Sequence, residues 1–253
     1  MARVSEIYNA MCALAPLSLA LDFDNPGFLV GEKDAEVTKV LVTLDITKDA
    51  VTEAQTKGAE LIVSHHPVIF SPISRITDES ITGEVLLSLI RGGQSAICMH
   101  TNLDAAQGGV SDCLAQAIGL SHIQSVPEEP LLRIGEVAPC TMQAFLAQIS
   151  DGLKTDGLRY CGEKTVHRVG VAGGAAGDFA ALAFAMGCDT FVTGEVKHHQ
   201  WQDACENNLI EAGHFATEAP VCSRLVSYLQ ETFPDLQVFE AASNQDPAKY
   251  YSR

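Results

Sequence analysis

The chain has 253 residues, 47% of them hydrophobic, enough to bury the core of one large or two modest domains. With 32 acidic against 16 basic side chains its formal net charge is −16, a surface that repels phosphate backbones and makes nucleic acid an unfavourable partner unless bound cations intervene. Eight cysteines without a CxxC pair read as buried, reduced thiols rather than a disulfide framework.

The opening stretch "MARVSEIYNAMCALAPLSLALDFDNPG" is mildly apolar, but Glu6 and Asp22 interrupt it and no basic cluster leads it. It predicts an N-terminal helix capped by Ser5, not a signal peptide. No apolar run approaches the ~20 residues of a membrane span, so a cytoplasmic protein with no membrane partner is expected. "VTKVLVTLD" then reads as a strand, "KDAVTEAQTKG" as a helix closed by Gly58, and "AELIVSHH" as a second strand. "TGEVLLSLIRGG" is a helix, "QSAICMH" a strand and "VSDCLAQAIGL" a helix. This alternation predicts α/β architecture with largely parallel strands covered on both faces. The stretch "QSVPEEPLLRIGEVAPC", with three prolines and an acidic pair, breaks the rhythm and is the expected linker near residues 121–140.

Beyond the linker the pattern restarts. "HRVGVAGGAAGDFAALAFAMGCDTFVTGE" lies on "TKVLVTLDITKDAVTEAQTKGAELIVSHH" without a gap. Val40 falls on Val169, an offset of 169 − 40 = 129, and the same offset pairs Asp49 with Asp178, Gly58 with Gly187 and Val63 with Val192. The chain therefore reads as a duplication, with one α/β half over 1–125 and a linker plus second half over 126–253.

The chemistry collects where strands stop. "LIVSHHPVIF" ends a strand in His65 and His66, "ICMHTNLDAA" sets His100 and Asp104 four apart, and "IEAGHFATEAP" sets His214 and Glu218 four apart. Ligands of α/β sheets gather beyond the carboxyl ends of strands, so these groups are candidates for one site. Histidine with carboxylate and no thiolate suits Zn, Mn, Fe, Co or Ni rather than a structural cysteine-type zinc. Adjacent histidines point to opposite faces of a regular strand, and Pro67 keeps His66 extended as the strand ends, so the two imidazoles can serve different ions. A bridging carboxylate such as Glu218 suits a pair of ions.

Other features are less specific. "VAGGAAGD" fits a tight strand-to-helix turn better than a phosphate cradle. In "TGEVKHHQWQDA", Glu195, His198 and His199 stand at the strand end equivalent to Ser64–His66, and lining the site competes evenly with a solvated helix start. His122 and His167 read as structural, and no arrangement for covalent catalysis is present.

The segments "DNPGFLVG", "VLVTLDIT", "GAELIVSHHPVIF", "MHTNLDAAQGGVSDCLAQAIGL", "TGEVKHHQ" and "EAGHFATE" together resemble the Nif-three-like family, also labelled GTP cyclohydrolase 1 type 2 homologues. The resemblance runs from about residue 5 to 245, and the HHP and GHxxTE segments in combination are highly specific. It implies duplicated α/β halves with a dinuclear metal cleft between them, and a homohexamer. The implied ligands of two divalent cations are His65, His66, Asp104, His214 and Glu218. One ion would take His66 and Asp104, the other His65 and His214, with Glu218 bridging. The repeat alone predicts His100 as a sixth ligand. The resemblance instead places it beside the metals, where His100 and Glu195 are candidate acid/base or orienting groups. The expected function is a metal-dependent hydrolase acting on a small, nucleotide-like molecule, with opening of the GTP imidazole ring suggested by the family label. The alternative is a non-catalytic metal-binding, assembly or regulatory factor.

Overall fold

The computed structural model describes residues 1–155, 157–204, 206–249 and 251. In chain order its elements are β1 (Ala2–Arg3), α1 (Val4–Leu14), β2 (Gly27–Val30), β3 (Glu36–Val37), β4 (Lys39–Thr43), α2 (Lys48–Lys57), β5 (Leu61–Ser64), α3 (Ile81–Gly92) and β6 (Ser95–Cys98). There follow α4 (Thr101–Ala105), α5 (Val110–Ala117), β7 (Ser121–Val126), β8 (Glu129–Cys140), α6 (Met142–Leu153), β9 (Arg159–Cys161) and β10 (Val166–Val171). The last are α7 (Ala180–Ala185), β11 (Thr190–Thr193), α8 (His198–Asp203), β12 (Asn208–Glu211), α9 (His214–Glu218), α10 (Pro220–Thr232) and β13 (Gln237–Glu240).

The chain folds as two units, one of Met1–Leu103 with Cys222–Gln245 and the other built on Asp104–Val221. The expected halves 1–125 and 126–253 divide the chain differently. The cause lies in strand pairing: β13 adds in parallel to β4, Val238 opposite Val40, and so carries the end of the chain back to the first unit.

The first unit holds a five-stranded sheet of order β13-β4-β5-β6-β2, parallel except for β2. Lys48–Lys57 turns helical because the Thr47 hydroxyl accepts the Ala50 N–H at 3.1 Å, and Gly58 stops it in the left-handed region at φ 68°. Leu41, Ile62, Val51, Leu86 and Leu89 form the core. The second unit holds a six-stranded sheet of order β7-β8-β10-β11-β12-β9, with β10, β11 and β12 parallel. Both its faces are covered. Val192 packs with Phe145, Ile149 and Val169, whereas its chain neighbour Phe191 packs with Ile134, Ala183 and Leu209.

The two units repeat one arrangement. β5 and β11 coincide at the offset 190 − 61 = 129, and each is the central strand of a parallel trio followed by a five-residue helix, α4 or α9. Gly187 closes α7 at φ 85°, matching Gly58. Two readings need correction. Residues 121–140 are not a linker but the hairpin β7–β8, because Leu132 and Ile134 alternate into the core and β8 pairs with β10. Pro139 is accommodated where the β8–β10 register shifts. Ser5 does not cap α1. The helix begins two residues earlier than a Ser5 cap requires, at Val4, and the Glu6 carboxylate caps it by accepting the Arg3 N–H at 2.7 Å. Among the described residues, no helix is long and apolar enough to cross a membrane.

Glu60 anchors the start of β4, accepting the N–H groups of Thr38 and Lys39 and the Thr38 hydroxyl at 2.8–3.1 Å. Burial raises its pKa, but these hydrogen bonds outweigh burial and leave it below the ordinary 4.5. A depressed folded pKa contributes stability above the unfolded value that is lost as pH falls through the folded one. Urea unfolding should therefore show Glu60→Gln less stable than wild type at pH 7, with the gap closing as the pH falls below about 4.3.

Candidate metal centre

In the first unit β5 ends at Ser64, yet ladder-like bonding continues: His65 N–H donates to Thr43 carbonyl at 3.3 Å and His66 N–H to Leu44 carbonyl at 2.9 Å. The Ser64 hydroxyl bonds the His66 carbonyl at 2.8 Å and turns the chain at that point. Each imidazole is tied to a different neighbour of β5. His65, fully buried, donates Nδ1–H to the Met99 carbonyl at 2.9 Å, just past β6. His66 Nδ1 bonds Asp45 Oδ1 at 2.8 Å, just past β4. His100 Nδ1 bonds Asp24 Oδ1 at 2.7 Å. The three rings lie 4.9–5.6 Å apart between centroids, with ligand-capable atoms within 4.8 Å of one another. The Asp24 side chain is fully buried. Burial alone would raise its pKa, but bonds from His100 and Thr101 hold the carboxyl well below the usual carboxylate range.

In the second unit His214 opens α9 and buried Glu218 closes it, one turn apart on one face. His214 Nδ1 bonds Glu195 Oε1 at 2.7 Å, and its Nε2 lies 3.1 Å from Glu218 Oε2. A carboxylate oxygen of Asp104, in α4, lies within 4.8 Å of one of Glu218. Gly174, at φ +64°, is the floor. Its carbonyl accepts the N–H groups of Gly194 and Glu195, and its own N–H donates to the Thr217 hydroxyl at 3.1 Å. A Cβ there would stand 2.2 Å from Glu218 Oε1. The "GGAAG" stretch is thus a turn, as expected, and its glycine admits the Glu218 carboxylate against the backbone.

These donors suit a divalent cation. With Nδ1–H committed to the Glu195 carboxylate, a neutral His214 ring would turn its Nε2 lone pair toward Glu218. Two acceptors at 3.1 Å call for a proton or a cation between them. Neutral imidazole with carboxylate is a borderline-to-hard set, as inferred from composition. His198 and His199 are exposed in α8, the solvated outcome, and His167 Nδ1 bonds the Val137 carbonyl at 2.7 Å, a structural role.

Several supporting groups escaped sequence reading. Asp45 and Asp24 follow a strand or stand in a loop, and no spacing connects them to a histidine. Arg133 is the least expected. It is 2% exposed in β8, with all its donors used: Nε to Asp112 at 3.0 Å, Nη1 to the Pro130 and Leu132 carbonyls, and Nη2 to the Ala105 and Ala106 carbonyls at 3.0 Å. Asp112 in turn accepts the Gly108 N–H at 2.8 Å. The guanidinium thereby fixes the backbone immediately after Asp104.

A model of the Duf34/NIF3 (NGG1p interacting factor 3) family matches residues 2–247. A Clostridium acetobutylicum protein called GTP cyclohydrolase 1 type 2 homolog is 30% identical, covering 98% of both chains. A Streptomyces coelicolor protein of the same name is 33% identical over 98% of this chain and 94% of its own. A Staphylococcus aureus hypothetical protein of known structure superposes with TM-score 0.91 at 28% identity, covering 98% of this chain and 99% of its own. A Bacillus cereus protein related to NIF3, at 21% identity and TM-score 0.92 over 99% of both chains, shares the fold.

Two substitutions probe this architecture. Gly174→Ala should displace the Glu218 carboxylate and weaken Zn²⁺ or Mn²⁺ binding by about 10–100-fold in titration calorimetry. Arg133→Met strands Asp112 and four carbonyls, and denaturant unfolding should record a loss of about 3–5 kcal/mol.

Proposed function

This chain belongs to the Duf34/NIF3 family, and on that premise we propose that it is a divalent-metal-dependent hydrolase in which His65, His66, Asp104, His214 and Glu218 hold two cations of the Zn, Mn, Fe, Co or Ni type. The observation that carries the reading is the 3.1 Å approach of His214 Nε2 to Glu218 while Nδ1 is engaged by Glu195. In the first unit His65 and His66 likewise have Nδ1 engaged, by Met99 and Asp45, which leaves Nε2 as the ligating atom. Bound cations would supply Lewis-acid polarisation of the substrate and a lowered pKa for water.

The protein's own groups divide the remaining work. Glu195 orients His214 and sets its tautomer. Asp24 does the same for His100, whose Nε2 is the candidate to accept a proton from the attacking water and return it to the leaving group. The substrate class is a small, nucleotide-like molecule. The relatives' name, GTP cyclohydrolase 1 type 2 homolog, makes opening of the GTP imidazole ring the first reaction to assay. The family resemblance also suggests a homohexamer in the cytoplasm.

Metal analysis of protein purified without chelator, with a parallel GTP-hydrolysis assay, is the test. Wild type should retain about two divalent ions per chain. His65→Ala and Glu218→Ala should each lose metal and turnover together. Metal content unchanged in both variants sinks the ligand assignment. Retained metal without turnover on GTP removes that substrate, and rapid metal exchange without any turnover favours a metal-handling factor instead.

A further inference from the structure

Two large aromatic side chains beside the histidines of the first unit are exposed, Phe23 at 66% and Phe70 at 48%. Single apolar residues on a surface need no explanation. This pair differs because hydrogen bonds on the adjoining residues fix it in place. Next to Phe23, the fully buried Asp24 carboxylate accepts His100 Nδ1–H at 2.7 Å, the Thr101 N–H at 2.9 Å and the Thr101 hydroxyl at 2.5 Å. Asn25 then donates its side-chain amide to the carbonyl of Ile69, the residue before Phe70, at 2.6 Å. The loop before β2 and the loop after β5 are thereby joined to each other and to His100. The two phenyl rings meet edge-on at 6.3 Å and 61°, and Phe70 meets His100 at 6.0 Å and 85°.

We infer that Phe23 and Phe70 form an aromatic platform that holds the flat, conjugated ring of a small-molecule ligand, with the ligand's polar end toward the imidazoles. Both side chains keep a large part of their aromatic surface exposed, and aromatic surface selects flat π systems over aliphatic groups of equal size. The half-exposed Asp45 carboxylate beside His66 disfavours an anionic group on this face, so a heteroaromatic ring and not a phosphate is what the phenyl rings read. Phe23 and Phe70 are then specificity residues. The inference depends on the metal-hydrolase reading only for the direction of the ligand's polar end.

The probes are adenosine and guanosine, with ribose as the control that lacks a ring, titrated calorimetrically into the full chain. Wild type should bind at least one nucleoside and not ribose. Phe23→Leu and Phe70→Leu should each weaken nucleoside binding about fivefold, with metal content unchanged, while Phe70→Tyr keeps it at the wild-type level. Wild-type affinity in both leucine variants, or no nucleoside binding by wild type, overturns the platform. A changed sedimentation coefficient in the leucine variants with nucleoside binding intact also overturns it and gives the face to a second copy of this chain. Repeating the titration on metal-stripped protein separates the two readings. Phenylalanine-dependent binding that survives there upholds the platform even if the metal assignment fails.

Discussion

An imidazole can bind a cation only through a nitrogen whose lone pair carries no proton, so the acceptor on its other nitrogen decides what each histidine can do. In this protein that acceptor is supplied every time by backbone or carboxylate: Met99 for His65, Asp45 for His66, Asp24 for His100 and Glu195 for His214. All four bonds are made at Nδ1, at 2.7–2.9 Å. In the neutral form of each ring these bonds place the proton on Nδ1 and the lone pair on Nε2.

That uniformity follows from the position of the histidines at strand ends. Parallel neighbours of β5 stop at about the same level, so the residues just past β4 and β6 flank those just past β5. Two consecutive side chains leaving β5 therefore meet acceptors on opposite neighbours, and this is the physical sense of the His65–His66 adjacency. In the second unit, α9 sets His214 and Glu218 one turn apart. Only a residue without a Cβ at 174 lets the Glu218 carboxylate approach the turn after β10. Arg133 then fixes the carbonyls after Asp104 with an ion pair to Asp112, a buried charge that is tolerable because every donor is used. Backbone economy and electrostatic satisfaction thus meet at the same few residues.

Much of this was readable in advance, for definable reasons. The strands β4, β5 and β11 are short, largely apolar runs, and the helices α2 and α7 that precede β5 and β11 end at Gly58 and Gly187; period and punctuation are local properties. The offset of 129 survived because Gly58 and Gly187 answer the same backbone demand, a positive φ after a helix. The hairpin β7–β8 was misread because prolines are a strong local signal of a break. Their tolerance depends on a register shift against β10 that no local pattern shows. Ser5 failed as a cap because the Glu6 carboxylate took that role from inside the helix.

The α/β class was legible in the alternation of apolar runs and helical periods, and the repeat in a constant offset between two such stretches. Tertiary structure decided the rest. Which acceptor holds each imidazole, why position 174 must be glycine, and how Arg133 braces the segment after Asp104 all depend on contacts between residues 20 to more than 70 positions apart. The same holds for where the units part, because β13 returns to β4 across nearly the whole chain. Local periodicity carries no information about such pairings, because strand neighbours are chosen by the burial of entire faces and not by residues adjacent in sequence.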